Sequence, residues 1–254
     1  MKSLLLGILF VILALVVAGA VALGAVNLGV GREATENHAV FGAVREIVVE
    51  PGRGDVEFIP ADKLIRIRET QHYVLSKPKL ERTRRNGVLT IDTDCGDLPG
   101  VVPCYSDLRV SVPPGVKLTV DAGAGDVDLS GVDVRATHVE TGSGDIAFGL
   151  IGRPTLLYAH SESGDIKLVA RSARAVDTRT DSGDIEVDVA AKPRRVKARS
   201  GSGDIELTLP RGIYAVAAMA DSGDLRVRGI SRNPRSPSSI DVRTDSGDID
   251  VRPR

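Results

Sequence analysis

A Gly-Asp pair recurs seven times from Gly125 to the C-terminus, and the paired aspartates could provide ligands for a cation. Four of the aspartates have a second carboxylate three residues earlier in the sequence. Two acids flanking a Ser-Gly corner offer the hard oxygen ligands that Ca²⁺ accepts. Alternatively, each Asp caps its turn by accepting backbone N–H groups. The candidate calcium ligands are Glu162, Asp165, Asp181, Asp184, Asp221, Asp224, Asp245 and Asp248.

No other residues form a recognisable catalytic or metal-binding pattern. The sequence contains no P-loop, G-x-S-x-G or H-E-x-x-H motif. His138 and His160 fall at outward positions of neighbouring repeats, but no Cys or third His accompanies them, which favours surface histidines. Glycoside hydrolysis requires one defined pair of carboxylates, whereas the carboxylates here are repeated. The sequence therefore predicts a protein that is not an enzyme and has no cofactor, apart from the possible calcium.

The elements that position these acids follow from the spacing of the repeat. Successive aspartates lie 19 to 24 residues apart, and six of the seven Gly-Asp pairs follow a serine. Apolar or small residues stand eight, six and four residues before each Asp, and one and three residues after it. Such alternation indicates short strands with one buried face, and its parity shifts at the Ser-Gly-Asp corner. The fold class predicted is all-β, a parallel two-sheet β-solenoid of about 20-residue coils, with an open sheet of antiparallel hairpins as the alternative.

The repeat divides the chain into regions of different regularity. Residues 117–254 are expected to form the regular solenoid, and residues 44–116 irregular N-terminal coils with insertions. Within the irregular region, Gly54-Asp55 and Gly96-Asp97 fit the same frame. A basic insertion at residues 71–87 predicts a solvated hairpin or loop, and Pro and Ser residues at 231–239 predict a surface loop.

The first 31 residues predict a membrane anchor or a signal peptide. The segment from Leu4 to Val30 carries no charge and is long enough to cross a bilayer, since about 20 apolar residues suffice. Lys2 before the segment favours an N-terminus inside and a chain outside the cytoplasm. We therefore expect a single-pass protein of the cell membrane with a linker at residues 32–43, or, if the segment is cleaved, a secreted protein. Cys95 and Cys104 are expected to form a disulfide in that oxidising environment.

The charge balance and composition narrow the function classes further. The chain has 33 basic and 34 acidic residues, which argues against a nucleic-acid partner. Aromatic residues make up only 3% of a chain that is 42% apolar, so the core must consist of Val, Ile, Leu and Ala.

The repeat and the segment before it resemble the bacterial putative-adhesin family of extracytoplasmic β-solenoid domains. The residues that carry the resemblance are Val110-Ser111-Val112-Pro113-Pro114-Gly115, Leu118-Thr119-Val120 and the Gly-Asp repeats through Asp248, with Cys95 and Cys104 before them. The resemblance covers residues 44–254 and implies the fold, but it supplies no catalytic residues. It favours an adhesin-like binding or scaffold module whose partner is a cell-wall component, a glycan or a membrane protein. The alternatives are a sensory or structural ectodomain acting through a membrane partner, and, third, a carbohydrate-active β-helix enzyme.

Overall fold

A computed structural model describes residues 31–40, 42–96 and 103–254, and all regular structure in these residues is β. None of these residues forms a helix that is long and apolar enough to cross a membrane. The predicted anchor or signal peptide at residues 4–30 lies outside the described residues. The strands are β1 (Arg32–Val40), β2 (Glu46–Pro51), β3 (Val56–Pro60), β4 (Ile65–Tyr73), β5 (Lys79–Arg85), β6 (Val88–Asp94), β7 (Cys104–Val112), β8 (Val116–Ala124), β9 (Val127–Ser130), β10 (Val134–Ser143), β11 (Ile146–Leu150), β12 (Leu156–Ser163), β13 (Ile166–Ala170), β14 (Ala175–Ser182), β15 (Ile185–Val189), β16 (Arg195–Ser202), β17 (Ile205–Leu209), β18 (Ile213–Ser222), β19 (Leu225–Val227), β20 (Ser231–Arg232), β21 (Ser239–Ser246) and β22 (Ile249–Pro253).

The strands form two sheets of eleven strands each, packed face to face around one core. The first sheet runs β1-β4-β7-β3-β9-β11-β13-β15-β17-β22-β19, and the second runs β20-β18-β21-β16-β14-β12-β10-β8-β2-β6-β5. From β8 onward every strand pairing is parallel, and the chain changes sheet at each Gly-Asp corner. Antiparallel pairs occur near the N-terminal end, so both sheets are mixed. The all-β, solenoid-like prediction is confirmed at this level.

Identical residue types stack in register because each inward position recurs in the next strand. In the first sheet Ile146 pairs with Ile166, and Ile166 pairs in turn with Ile185. Each of these isoleucines is about 1% exposed. A single strand pair cannot bury its own apolar face, so most of the stability must come from this stacking between layers.

The N-terminal region departs from the predicted linker. Residues 32–40 form β1, which pairs antiparallel with β4 along its whole length. The linker expected at residues 32–43 was therefore wrong for most of its length. The physical reason is the alternation of half-buried Ala34, Glu36, His38 and Val40 with exposed residues, which gives β1 an inner face. The basic insertion contains β5, which forms an antiparallel hairpin with β6 at the edge of the second sheet.

The last layers of the stack do not follow the order of the sequence. The final strand pair, β21 and β22, lies between the pair β16–β17 and the pair β18–β19. The pair that becomes the interior layer has larger inward residues, including Ile240, Val242 and Ile249. At the matching positions the pair left at the end of the stack has Val216, Ala218 and Leu225, the first two of which are smaller, although Tyr214 at the start of β18 is fully buried. Burying the larger apolar surface favours the inserted arrangement.

A disulfide joins Cys95 to Cys104, at the end of the segment that follows β6. The bond closes a short loop, and its main effect is to reduce the conformational freedom of the unfolded chain. We expect the Cys95→Ser, Cys104→Ser double variant to lower the free energy of unfolding by about 2–3 kcal/mol. Denaturant unfolding of the oxidised wild type and the variant measures this loss. A reducing agent should lower the wild-type midpoint and leave that of the variant unchanged, and a reducing agent without effect on the wild type would contradict the prediction.

Candidate functional site

The Gly-Asp corners stack into a continuous ladder along one side of the molecule. At each step the Oδ1 atom of one Asp accepts a hydrogen bond from the backbone N–H of the Asp in the next layer, at 2.7–3.0 Å. Each corner aspartate therefore caps the adjacent layer and not its own turn. The ladder runs Asp107, Asp55, Asp126, Asp145, Asp165, Asp184, Asp204, Asp248 and Asp224.

Buried hydroxyl groups complete these corners from the inside. Ser161 donates to the carbonyl oxygen of Gly144 at 3.0 Å, and Thr180 donates to that of Gly164 at 3.0 Å. Both side chains are almost fully buried, so an unpaired hydroxyl there would be costly. In five of the seven repeats the residue four positions before the Asp is Thr or Ser, and its hydroxyl satisfies a corner carbonyl. The same bond is made by Thr141, Ser200 and Thr244.

The structure does not bring the eight candidate calcium ligands together in groups of three side chains. Within the described ranges, none of them belongs to a group of three ligand atoms lying within 4.8 Å of one another. Several of the second acids pair with arginines instead: Asp181 with Arg179 at 3.1 Å, and Asp221 with Arg243 at 3.0 Å. Arg243 also lies 3.4 Å from Asp245. The calcium site stays a prediction, and the ladder provides a structural use for the corner aspartates without it.

Replacing one ladder aspartate distinguishes a structural role of the corner aspartates from calcium binding. We expect Asp165→Ala to destabilise the protein by about 1–3 kcal/mol, because the N–H of Asp184 loses its acceptor. Asp165→Asn retains an oxygen acceptor and removes one of a row of like charges, so we expect it to stay within about 0.5 kcal/mol of wild type. Melting midpoints in EDTA and in Ca²⁺ measure both effects. A Ca²⁺-dependent rise in wild type that is lost in Asp165→Asn would establish calcium binding and contradict a purely architectural ladder.

The two histidines at outward positions of neighbouring repeats, His138 and His160, have different neighbours. His138 stacks on Tyr158, with ring centroids 4.4 Å apart and planes 6° from parallel. His138 Nε2 also lies 3.3 Å from Glu140. His160 pairs in register with Glu140 on the neighbouring strand, so the two histidines lie diagonally to each other.

A row of arginines crosses the outer face of the second sheet. The inserted final layer places Arg243 directly beside Arg199, which itself pairs with Arg179. The three arginines line a shallow cavity of about 530 Å³. Each lies within 3.4 Å of an aspartate, so their charges are neutralised within the sheet. The row therefore presents little net charge to a ligand.

A larger concave surface lies on the outer face of the first sheet, at its N-terminal end. The cavity has a volume of about 1150 Å³. Strand β4 supplies Arg66 and Arg68, which point outward because Ile65 and Ile67 occupy the inner face. The antiparallel register places Arg68 opposite Arg109 of β7. The lining residues are Asn37, His38, Ala39, Ile59, Pro60, Ala61, Asp62, Lys63, Leu64, Arg66, Arg68, Arg109 and Ser111.

The positively charged side chains of this cavity have fewer carboxylate partners than the arginines of the second sheet. Among the described residues, no carboxylate oxygen lies within 4.0 Å of the charged groups of Lys63, Arg66 or Arg68. Within the described part of the chain, the guanidinium of Arg68 donates only to the side-chain oxygen of Asn37, at 3.3 Å. Arg109 is the exception, because it pairs with Glu57 at 2.6 Å. The arrangement can attract an anionic group.

The turn before β4 is held in place by one buried hydroxyl. The Oγ atom of Ser111 accepts a hydrogen bond from the backbone N–H of Arg66 at 2.7 Å and donates to the carbonyl of Leu64 at 3.0 Å. This fixes the turn that contains Lys63 against β7. Ile59, Pro60 and Leu64 add an apolar wall beside the cations. The cavity therefore combines positive charge with apolar surface.

The sequence prediction did not include this cavity. The alternation Ile65-Arg66-Ile67-Arg68 is visible in the sequence and indicates a strand with two outward arginines. The sequence does not reveal that β4 inserts antiparallel between β1 and β7, which is what brings Arg109 and Asn37 to the same place.

Comparison with known proteins identifies one matching family. The sequence model of the Toastrack DUF4097 family matches residues 106–252, more than half of the chain. No curated protein matches the chain.

Several solved bacterial structures are similar to the chain at low sequence identity. One is a putative adhesin from Bacteroides fragilis, with 14% identity and a TM-score of 0.57, covering 87% of this chain and 97% of its own. Others are a putative cell adhesion protein from Clostridium sporogenes, with 16% identity, a TM-score of 0.42 and coverage of 88% and 100%, and a putative adhesin from Parabacteroides distasonis, with 14% identity, a TM-score of 0.47 and coverage of 88% and 98%. At such identities the likeness concerns the fold alone.

Proposed function

Because the chain belongs to the Toastrack DUF4097 family, we propose that it is a non-enzymatic surface module of the cell envelope that binds an anionic ligand. In this proposal residues 4–30 hold the chain in the cell membrane and residues 32–254 lie outside the cytoplasm. The description of the Bacteroides fragilis structure as a putative adhesin is in keeping with such a role. Cell fractionation and protease accessibility of the full chain test the location. Recovery in the cytoplasmic fraction would contradict it.

The observation that carries the binding proposal is the set of unpaired cations in the 1150 Å³ cavity. Lys63, Arg66 and Arg68 converge on one concave surface, whereas the arginines of the second sheet's row are paired with aspartates. Guanidinium groups bind carboxylates and phosphates through directed hydrogen bonds, each contributing about 1.5–3 kcal/mol. The apolar wall favours a ligand that carries its anionic group on a larger, partly apolar body.

Two envelope components offer this chemistry, namely acidic glycans and anionic lipids. Sedimentation of the full chain with purified cell-wall glycan and with vesicles of anionic or neutral phospholipid distinguishes them. Retention on acidic glycan alone would identify a glycan ligand, and retention on anionic vesicles alone a lipid headgroup.

The control must remove equal charge from elsewhere on the molecule. We expect the Arg66→Ala, Arg68→Ala variant to lose retention on the binding component. The matched Arg179→Ala, Arg199→Ala variant removes the same two charges from the second sheet and should bind like wild type. Equal loss in both variants would show that binding follows overall charge and would overturn the proposed site.

A further inference from the structure

A second cluster of polar side chains lies between β1 and β4, beneath the face that carries the cavity. Glu36 on β1 pairs in register with Glu69 on β4, and His38 follows two residues later on the same inner face. One ligand atom from each of these three residues lies within 4.8 Å of the other two. Strand β1 is the outermost strand of the first sheet, so the cluster closes that end of the core.

The carboxylate of Glu69 is buried, and only one of its two oxygen atoms accepts a hydrogen bond from a described residue. Its side chain is 0% exposed. Oε1 accepts a hydrogen bond from the Ser106 hydroxyl at 2.8 Å, but Oε2 has no hydrogen-bond partner in the described ranges. Burying a carboxylate oxygen without a partner is costly, so such an atom points to a group that completes its coordination.

The imidazole of His38 faces this carboxylate but does not form a hydrogen bond with it. Its Nε2 atom is buried and has no hydrogen-bond partner among the described residues. It lies 3.9 Å from Oε2 of Glu69 and 3.7 Å from Oε2 of Glu36, beyond the length of a hydrogen bond. Three potential ligand atoms therefore face one another across a gap that none of them fills.

The donor set and the spacing match a transition-metal site. Zn²⁺ binds histidine nitrogen and carboxylate oxygen at about 2.0–2.2 Å, which places neighbouring ligands of a tetrahedral site roughly 3.4 Å apart. The two separations from His38 Nε2, 3.7 and 3.9 Å, approach that value after movements of about 0.3–0.5 Å, and the two carboxylate oxygens lie within 4.8 Å of each other. An imidazole ligand disfavours Ca²⁺ and Mg²⁺, which prefer oxygen.

Neighbouring groups already orient two of the three ligands. The hydroxyl of Ser106 holds Glu69, and Lys77 donates to Oε1 of Glu36 at 2.5 Å, which leaves Oε2 of Glu36 facing His38. Outer hydrogen bonds of this kind are typical of metal ligands.

We propose that Glu36, His38 and Glu69 bind a divalent transition-metal ion, with Zn²⁺ as the cation that the donor set favours. A solvent molecule would complete the coordination. The ion links the edge strand β1 to β4 and thereby stabilises the N-terminal end of the solenoid. This site is separate from the proposed anion-binding function, although His38 also lines the cavity.

Titration of the metal-free full chain with ZnCl₂, followed by calorimetry and by the melting midpoint, tests the site. We expect one equivalent to bind with a saturable rise in the midpoint, since a ligand of the native state stabilises it. The His38→Ala variant should bind at least about tenfold more weakly, because loss of a direct ligand costs no less than loss of an outer one. His138→Ala removes a histidine that also lies beside a glutamate, and it should bind zinc like wild type.

The circular dichroism spectrum of metal-free His38→Ala must match that of the wild type. Glu36→Gln is a second variant, nearly unchanged in shape, and it should also bind zinc weakly. Unchanged zinc affinity in both variants, or no saturable binding by wild type, would overturn the proposal and leave an ion pair of His38 with the two carboxylates. Equal binding of Ca²⁺ would overturn the assignment to a transition metal. Measuring anion binding both with EDTA and with Zn²⁺ separates failure of this site from failure of the anion site.

Discussion

Replacing a corner glycine by alanine is expected to cause one of the largest losses of stability in the molecule. A Cβ atom on Gly183 would lie 2.2 Å from the carbonyl oxygen of Gly164 in the next layer, and φ at Gly183 is +149°. Backbone must therefore move, and the hydrogen bonds that join the two corners move with it. We expect Gly183→Ala to lower the free energy of unfolding by about 4 kcal/mol, in the upper range for single substitutions.

A glycine outside the ladder provides the control for this effect. Gly131 also has positive φ, at +75°, but a Cβ atom there would meet nothing within 4 Å. Gly131→Ala should therefore cost only the backbone strain, about 1 kcal/mol. Denaturant unfolding of both variants measures the difference. Equal losses would show that the close approach between layers contributes nothing.

Ile249 and Leu225 occupy the same position of the repeat, but the order of the layers predicts that replacing them by alanine lowers stability by very different amounts. Ile249 is 0% exposed between Ile205 and Leu225, whereas Leu225 is 45% exposed in the last layer of the first sheet. We expect Ile249→Ala to cost about 3–4 kcal/mol, as for other buried large-to-small changes. Leu225→Ala should cost less than about 1 kcal/mol, because much of its surface is already in water.

Unfolding free energies of the two variants decide the layer order. If the layers stacked in the order of the sequence, Leu225 would be interior and Ile249 terminal, and the ranking would reverse. A larger loss for Leu225→Ala would therefore contradict the inserted final layer.

The regular part of the fold could be predicted from the sequence because its signals are local. Alternation around each Gly-Asp pair identifies the strands, and the repetition of isoleucine one residue after five of the seven aspartates indicates in-register stacking. The position of Leu225 could not be predicted in this way. Its local pattern equals that of Ile249, and only the comparison of buried area between whole layers decides which of them is interior.

The candidate sites depended on contacts that the repeat does not specify. The corner aspartates were identified, but their bonding to the next layer's N–H groups requires knowledge of how the layers stack. Arg66 and Arg68 were visible as outward residues of a strand, but the antiparallel insertion of β4 sets their neighbours. Glu36 and His38 fell in a segment expected to be a linker, so their proximity to buried Glu69 had no local signal.

The central claim is that the unpaired cations of the N-terminal cavity bind an anionic ligand. The most direct test is the dissociation constant of the full chain for the component that retains it, either an acidic glycan or vesicles of anionic phospholipid, in wild type and in Arg66→Ala, Arg68→Ala. The neutral form of that component, the esterified glycan or vesicles of neutral phospholipid, is measured beside it. We predict that both the neutral form and the double substitution weaken binding at least about tenfold, because each removes charge-assisted hydrogen bonds. The Arg179→Ala, Arg199→Ala variant should bind like wild type. A double variant of the cavity that binds the acidic component as tightly as wild type would contradict the account.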